Sequence, residues 1–360
     1  MEIRRVFPQQ QKREAIHAVV VQEKSDDDKK DGAKADENTM LKALSPLLYS
    51  MRIFGLFFLN DNGSDANIKI RCLLPCFSNP SHVYAFVVLV AMWLNTIRLF
   101  TLFSSIDNLE SDIMWKCVVF VWTIMCTFAQ TSCYRGCHRG KIQTMFRIFG
   151  KRLTPESLKL VRRNALLYAL IMWQCWVINV IFFAYVNTSG NENVMNILLT
   201  PCTTLLHLSP KTLPALRCLY MLIHAYVTGA SLFPIASNLL LAKIFFIEFN
   251  SCNRKFRQSI ENFDSFKERF DDLRRQHQLL SRLVSKTDKF ICFSNAAYVI
   301  GFIFLVIATL YELIWSSWLT SAPTILFLGI FWFSWSVLSL SLISYGGVIV
   351  NNSVSTRNLL

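Results

Sequence analysis

His224 stands in a long apolar run, with Tyr220 four positions before it and Tyr226 two after it. Asn179 and Tyr185 lie upstream, and Trp115 and Trp122 lie further upstream. Downstream, Tyr311 adjoins Glu312, and Trp332 and Trp335 are three apart. These residue types do not assemble a catalyst. No Walker loop, GxSxG or HExxH pattern occurs, and no pair of carboxylates sits deep in an apolar segment, so no enzyme is expected. Aromatic walls with a few hydrogen-bonding groups suit a small polar or amphipathic ligand in a mostly apolar pocket. The candidate ligand-binding residues are Tyr226, Tyr311, Trp332, His224 and Asn179. Each also has an ordinary role. Trp and Tyr near a bilayer boundary act as interface anchors, and a lone His within a span favours an interhelical hydrogen bond over a proton relay. Glu312 is expected at the water edge, and Arg98 is expected to snorkel to the outer surface.

Metal and redox chemistry find little support. Of the 11 cysteines, most fall within apolar segments or in segments assigned below to the cytosol, where thiols stay reduced. Cys72/Cys76 and Cys133/Cys137 have CxxxC spacing, but no second pair or His cluster completes a zinc site. No metal and no cofactor is expected.

The elements that must carry these residues are membrane helices. Apolar residues make up 53% of the chain, with 29 Phe and 9 Trp, and the mean hydropathy is +0.35. Charges cluster in a few polar blocks between runs long enough to cross a hydrocarbon core of roughly 30 Å. Backbone groups in lipid must be satisfied internally, so the runs are helices. The expected fold is an all-α polytopic membrane protein with six spans, at about 82–103, 113–133, 164–186, 213–249, 290–313 and 324–350. Span four is longer than one bilayer. Pro234 could kink it, or a turn near Ser231–Asn238 could divide it. One long tilted helix is preferred, because Arg217 and Lys243 bracket a single charge-free stretch.

Orientation follows from Lys and Arg placement. Between spans two and three lie Arg135, Arg139, Lys141, Arg147, Lys151, Arg152, Lys159, Arg162 and Arg163 against one acid, Glu156. Between spans one and two there are only Asp107, Glu110 and Asp112. This asymmetry puts the N-terminus, residues 134–163 and the C-terminal residues 351–360 in the cytosol. The net charge of +13 is therefore a topology signal, and no nucleic-acid partner is expected. Residues 1–40 read as a disordered cytosolic tail with no cleavable signal. Residues 41–81 precede the bundle, and Leu44–Leu59, carrying Pro46, Arg52 and Gly55, reads as an interfacial or re-entrant helix. Residues 82–350 form the bundle, and 244–289 form a cytosolic helical extension. Asn187 begins an N-glycosylation sequon on the outer side.

Four stretches carry a family resemblance. Leu41 to Phe57 (LKALSPLLYSMRIFGLF) resembles the "aLxPLlxlxrxfGL" opening of arthropod gustatory receptors. Leu239 to Asn250 (LLLAKIFFIEFN) is similar to that family's exit from span four. Phe270 to Ile291 (FDDLRRQHQLLSRLVSKTDKFI) resembles its lead into span five. Asn351 to Leu360 (NNSVSTRNLL) resembles the polar joint between its spans six and seven. The resemblance covers most of residues 40–360 in order and spacing.

The resemblance implies a seven-span, tastant-gated cation channel of the plasma membrane, homo- or hetero-tetrameric with related subunits, with a sugar or a bitter compound as ligand. Thr287-Asp288 and the Asn351-Asn-Ser ending look closest to the sugar-sensing branch. The family's last span, with its Thr-Tyr pair and later Gln-Phe, is not within this sequence, so the resemblance also implies a pore helix beyond Leu360. Residues 244–289 take the place of the family's anchor domain, with Phe256, Ile260, Phe263, Phe266 and Phe270 as its apolar stripe. An ordinary amphipathic helix pair would show the same stripe. A secondary transporter remains the alternative, although the two halves show no repeat and no buried acid. A rhodopsin-like receptor is opposed by the charge placement.

Overall fold

The computed structural model describes residues 30–59, 79–103, 112–150, 153–188, 213–261, 263–315 and 323–355. The described residues form eight α-helices and a single 3-10 turn, with no strand. They are α1 (Lys30–Ile53), α2 (Pro80–Phe100), α3 (Asp112–His138), α4 (Lys141–Gly150), α5 (Pro155–Thr188), α6 (Leu213–Glu261), α7 (Phe263–Trp315) and α8 (Pro323–Ser355). Six of them, α2, α3 and α5 to α8, are long and apolar enough to cross a membrane. The chain is an all-α polytopic membrane protein.

Helix α6 is the hub. It packs on α3, α5, α7 and α8 as well as α1, and its span is the most buried of the six. At 49 residues it is about 74 Å long at 1.5 Å per residue. It is therefore more than twice as long as a hydrocarbon core of roughly 30 Å is thick, and it runs past Lys243 as one helix without a break at Pro234. The reason is local. Proline has no N–H to offer residue 230, so the Ala230 carbonyl loses its helical partner. The fully buried Tyr298 of α7 donates its hydroxyl to that oxygen at 2.9 Å. A freed carbonyl satisfied by a neighbouring helix is what lets proline persist in a transmembrane helix.

Helix α1 packs into the bundle. Its stripe of Met40, Ala43, Leu44, Leu47, Leu48 and Met51 is buried, at the spacing of one helical face, against α4, α5 and α6. The helix also takes in residues 30–40, the end of the stretch 1–40 expected to be a disordered tail. Residues 1–29 lie outside the described set. The single proline of α1, Pro46, is accommodated in the same way. Ser45 Oγ donates to the Lys42 carbonyl that Pro46 leaves free, at 2.9 Å. Trp173 Nε1 donates to Ser50 Oγ at 2.9 Å, while Ser50 donates to the Pro46 carbonyl at 2.9 Å.

Helix α1 ends deep in the bundle with Gly55 at φ 67°. Leu56 N–H reaches the Met51 carbonyl at 2.8 Å and Gly55 N–H reaches that of Arg52 at 3.1 Å. This is a Schellman ending, whose left-handed residue favours glycine. Leu56–Leu59 double back along α1, and Leu59 meets Asn79. That side chain donates to the Leu59 carbonyl at 3.3 Å and caps α2 by accepting from Ser81 N–H at 3.0 Å. Gln130 Nε2 donates to the Gly55 carbonyl at 2.9 Å. Non-helical backbone at this depth is tolerated because protein surrounds and satisfies it.

Phe54, at the turn, plugs the space between α5 and α6. Its ring meets Trp173, Trp176, Tyr226 and Phe233 at centroid distances of 5.6, 5.7, 6.1 and 5.1 Å. Gly229 makes the room, since a Cβ there would fall 2.3 Å from the Phe54 ring. Gly229→Ala is expected to cost about 1–3 kcal/mol by overpacking, read as a lowered unfolding midpoint of the detergent-solubilised protein. An unchanged midpoint would mean that Phe54 does not seat against Gly229.

Beyond Lys243, α6 runs alongside the first half of α7, joined by buried Phe249, Cys252, Leu273, Leu280 and Leu283. Phe256 and Phe270 face each other at 6.3 Å. Phe149 of α4 packs on Phe245 at 5.2 Å.

Candidate functional site

The outer halves of α3, α5, α6, α7 and α8, outer by the charge rule, converge on a small internal cavity of about 30 Å³. Its polar wall is a relay. Trp332 Nε1 of α8 donates to Asn179 Oδ1 of α5 at 3.1 Å, and Asn179 Nδ2 donates to Thr228 Oγ1 of α6 at 3.2 Å. One amide thus ties three helices together, and Asn179 and Thr228 are buried. Ser231, Thr309 and Ser336 add buried hydroxyls to the lining. Thr309 and Ser336 donate back to the Leu305 and Trp332 carbonyls. The indole N–H of Trp335, also in the wall, is buried without a hydrogen-bond partner among the described residues.

Aromatic rings close the outer side. Trp332 stacks on Trp115 at 5.2 Å and 10° and leans on Trp122 at 5.4 Å. Trp122 meets His224 edge-on at 5.1 Å, and His224 stacks on Phe183 at 3.7 Å and 8°. His224 is buried behind Trp122, one layer out from the cavity. Its Nε2 meets no hydrogen-bond partner among the described residues. Ring contacts hold this imidazole in place of the interhelical hydrogen bond expected from sequence.

Of the five candidates, Asn179, Trp332 and His224 come together. Tyr226 does not join them. Its hydroxyl lies 2.8 Å from that of Tyr84, which also hydrogen-bonds the Ile53 carbonyl. Tyr84 is only one turn from the start of α2, so Tyr226 belongs to the inner half beside the turn at Phe54. Tyr311 also stands apart: it is 47% exposed, beside Trp315 at 6.4 Å. Its neighbour Glu312, expected at the water edge, is 2% exposed. A helical step turns adjacent residues well apart. The aromatic is tolerated against lipid and the carboxyl is not, so the two expectations are reversed. Arg98 folds back to Asn95 Oδ1 at 3.1 Å and lies over the buried Tyr220 ring at 5.2 Å.

Asn187 is the second-last residue of α5, and its side chain and residues 189–212 lie outside the described set. Among the described residues no group of three His, Cys, Asp or Glu could hold a metal ion. Thr228, Ser231 and Thr309 were not singled out from sequence. The small-residue run Thr228-Gly-Ala-Ser231 in span four was the available signal, since such runs mark close helix approach.

The fold and the cavity define a multi-pass helical membrane protein with a buried polar and aromatic site in its outer half. Comparison with family models, curated proteins and solved structures found no match for this chain.

Proposed function

We propose that the chain is a chemoreceptor subunit of the arthropod gustatory type, a tastant-gated cation channel component of the plasma membrane working in a tetramer of related subunits. A small polar or amphipathic tastant is its ligand, with sugars ahead of bitter compounds. The observation that carries this reading is the Asn179 relay: one amide with both ends engaged, walled by Trp122, Trp332 and Trp335, at the meeting point of five spans. The resemblance over most of residues 40–360 supplies the family.

The cavity suits a gated site better than an open one. About 30 Å³ holds one or two waters, against roughly 300–1,000 Å³ for ligand pockets generally. A ligand therefore binds by displacing the Trp332–Asn179 hydrogen bond and presenting its own polar groups to Asn179, Thr228 and Trp335. That exchange moves α8 relative to α5 and α6. A ligand shifts an equilibrium only by its differential affinity for the two states, and a relay that must open supplies that difference. The paired ends of α6 and α7 hold subunits together while α8 transmits the movement to a pore helix.

Joining this chain to the pore helix of a related receptor is expected to give tastant-evoked cation current in a voltage-clamped cell. Silence from a surface-exposed, tetrameric chimera against a broad panel of sugars and bitter compounds would contradict the channel reading. Uptake of a compound without current would point to the transporter class.

A further inference from the structure

A second, roomier cavity than the one at Asn179 lies along α1, with a volume of about 240 Å³. Lys42, Ser45, Tyr49 and Arg52 line it at spacings of three, four and three, which is one helical face. Leu41 and Leu48 on the same helix, with Phe57 and Leu59 of the returning segment, form its apolar wall. Among the described residues the lining contains two cations and no acid. Arg52 Nε is buried and meets no hydrogen-bond partner among the described residues. An anionic acceptor in the groove would satisfy this charged donor. Ser45 spends its proton on the Lys42 carbonyl, so Lys42, Tyr49 and Arg52 are the donors left for a ligand.

We infer that this groove binds a phospholipid with a net negative headgroup. A guanidinium fork beside an ammonium matches a phosphate oxygen pair, and the Leu41, Leu48, Phe57 and Leu59 wall takes the start of an acyl chain. Tyr49 and the neighbouring Ile53 are exposed, and Tyr84, one turn into α2, hydrogen-bonds the Ile53 carbonyl, so this end of α1 lies level with the start of α2. Charge asymmetry assigns this end to the cytosolic leaflet, where anionic lipids concentrate. The headgroup completes the charge of Arg52, two residues before the Phe54 plug, and so braces the α1 turn. This inference does not depend on the chemoreceptor reading.

The test is native mass spectrometry of the full chain in detergent with dioctanoyl phosphatidylserine, dioctanoyl phosphatidylcholine or inorganic phosphate added. The expected result is one saturable phosphatidylserine adduct, favoured over phosphatidylcholine by about tenfold, the ratio worth one charged hydrogen bond. R52Q and K42Q weaken it, and S45W, which fills the groove, removes it. Lys42 is exposed, so K42Q keeps the test valid if R52Q fails to fold. Equal retention of the two lipids, an adduct unchanged in K42Q and S45W, or displacement by inorganic phosphate would overturn the inference.

Discussion

Tyr298→Phe is expected to destabilise the bundle by about 2–4 kcal/mol, the cost of a backbone carbonyl left bare in an apolar interior. The substitution removes one oxygen and no packing volume, so the loss is that of the bond to the Ala230 carbonyl. Pro234→Ala restores the missing N–H to the same carbonyl and makes the Tyr298 hydroxyl dispensable. In the Pro234→Ala background, Tyr298→Phe should therefore cost much less, and the two changes should be strongly non-additive. Unfolding in graded denaturant of single and double variants measures this. Additive effects would mean that the hydroxyl and the proline are not coupled.

The second large effect falls on the relay. Asn179→Ala removes the acceptor of the Trp332 indole and the donor to Thr228 together. At about 1–3 kcal/mol for each of the two buried groups left unpaired, the expected loss is roughly 2–6 kcal/mol of coupling between α5, α6 and α8. Ligand affinity is expected to fall at least about tenfold, which is 1.4 kcal/mol. Asn179→Asp keeps the acceptor for Trp332 and loses the donor to Thr228. It should retain part of the helix coupling while changing which ligands bind. If Asn179→Ala and Asn179→Asp behaved alike in stability, Trp332 would not depend on the amide oxygen.

Much of the bundle was legible because length and apolarity alone separate spans from the segments between them. The uncharged stretch between Arg217 and Lys243 also argued for one helix in α6, and Tyr298 supplies the physical reason. Which face of each span points inward was not legible. In a bilayer both faces are apolar, so periodicity carries little information. Helix α8 shows this, with Phe327, Ile330 and Leu338 exposed while Leu328 and Ser339 are buried. The Tyr311 and Glu312 reversal and the displacement of Tyr226 have the same origin.

The relay was half legible. Asn179 and Trp332 stood out as polar groups within apolar runs. Thr228 did not, because a threonine within a span commonly bonds its own helix. Helix α1 was hard to place because Pro46, Arg52 and Gly55 look like breaks. The carbonyl that Pro46 frees is met by Ser45, and that of Gly55 by Gln130, which lies far along the sequence.

The most direct test of the ligand site is tryptophan emission of the purified chain titrated with a panel of sugars and bitter compounds, beside the Asn179→Ala variant. Trp115, Trp122, Trp332 and Trp335 all lie at or against the cavity wall, so displacement of the Trp332 hydrogen bond changes their surroundings. The account predicts a saturable change with at least one compound that is lost or shifted at least about tenfold in Asn179→Ala. No saturable change across the panel in a folded protein, or the same titration in the variant, would contradict it.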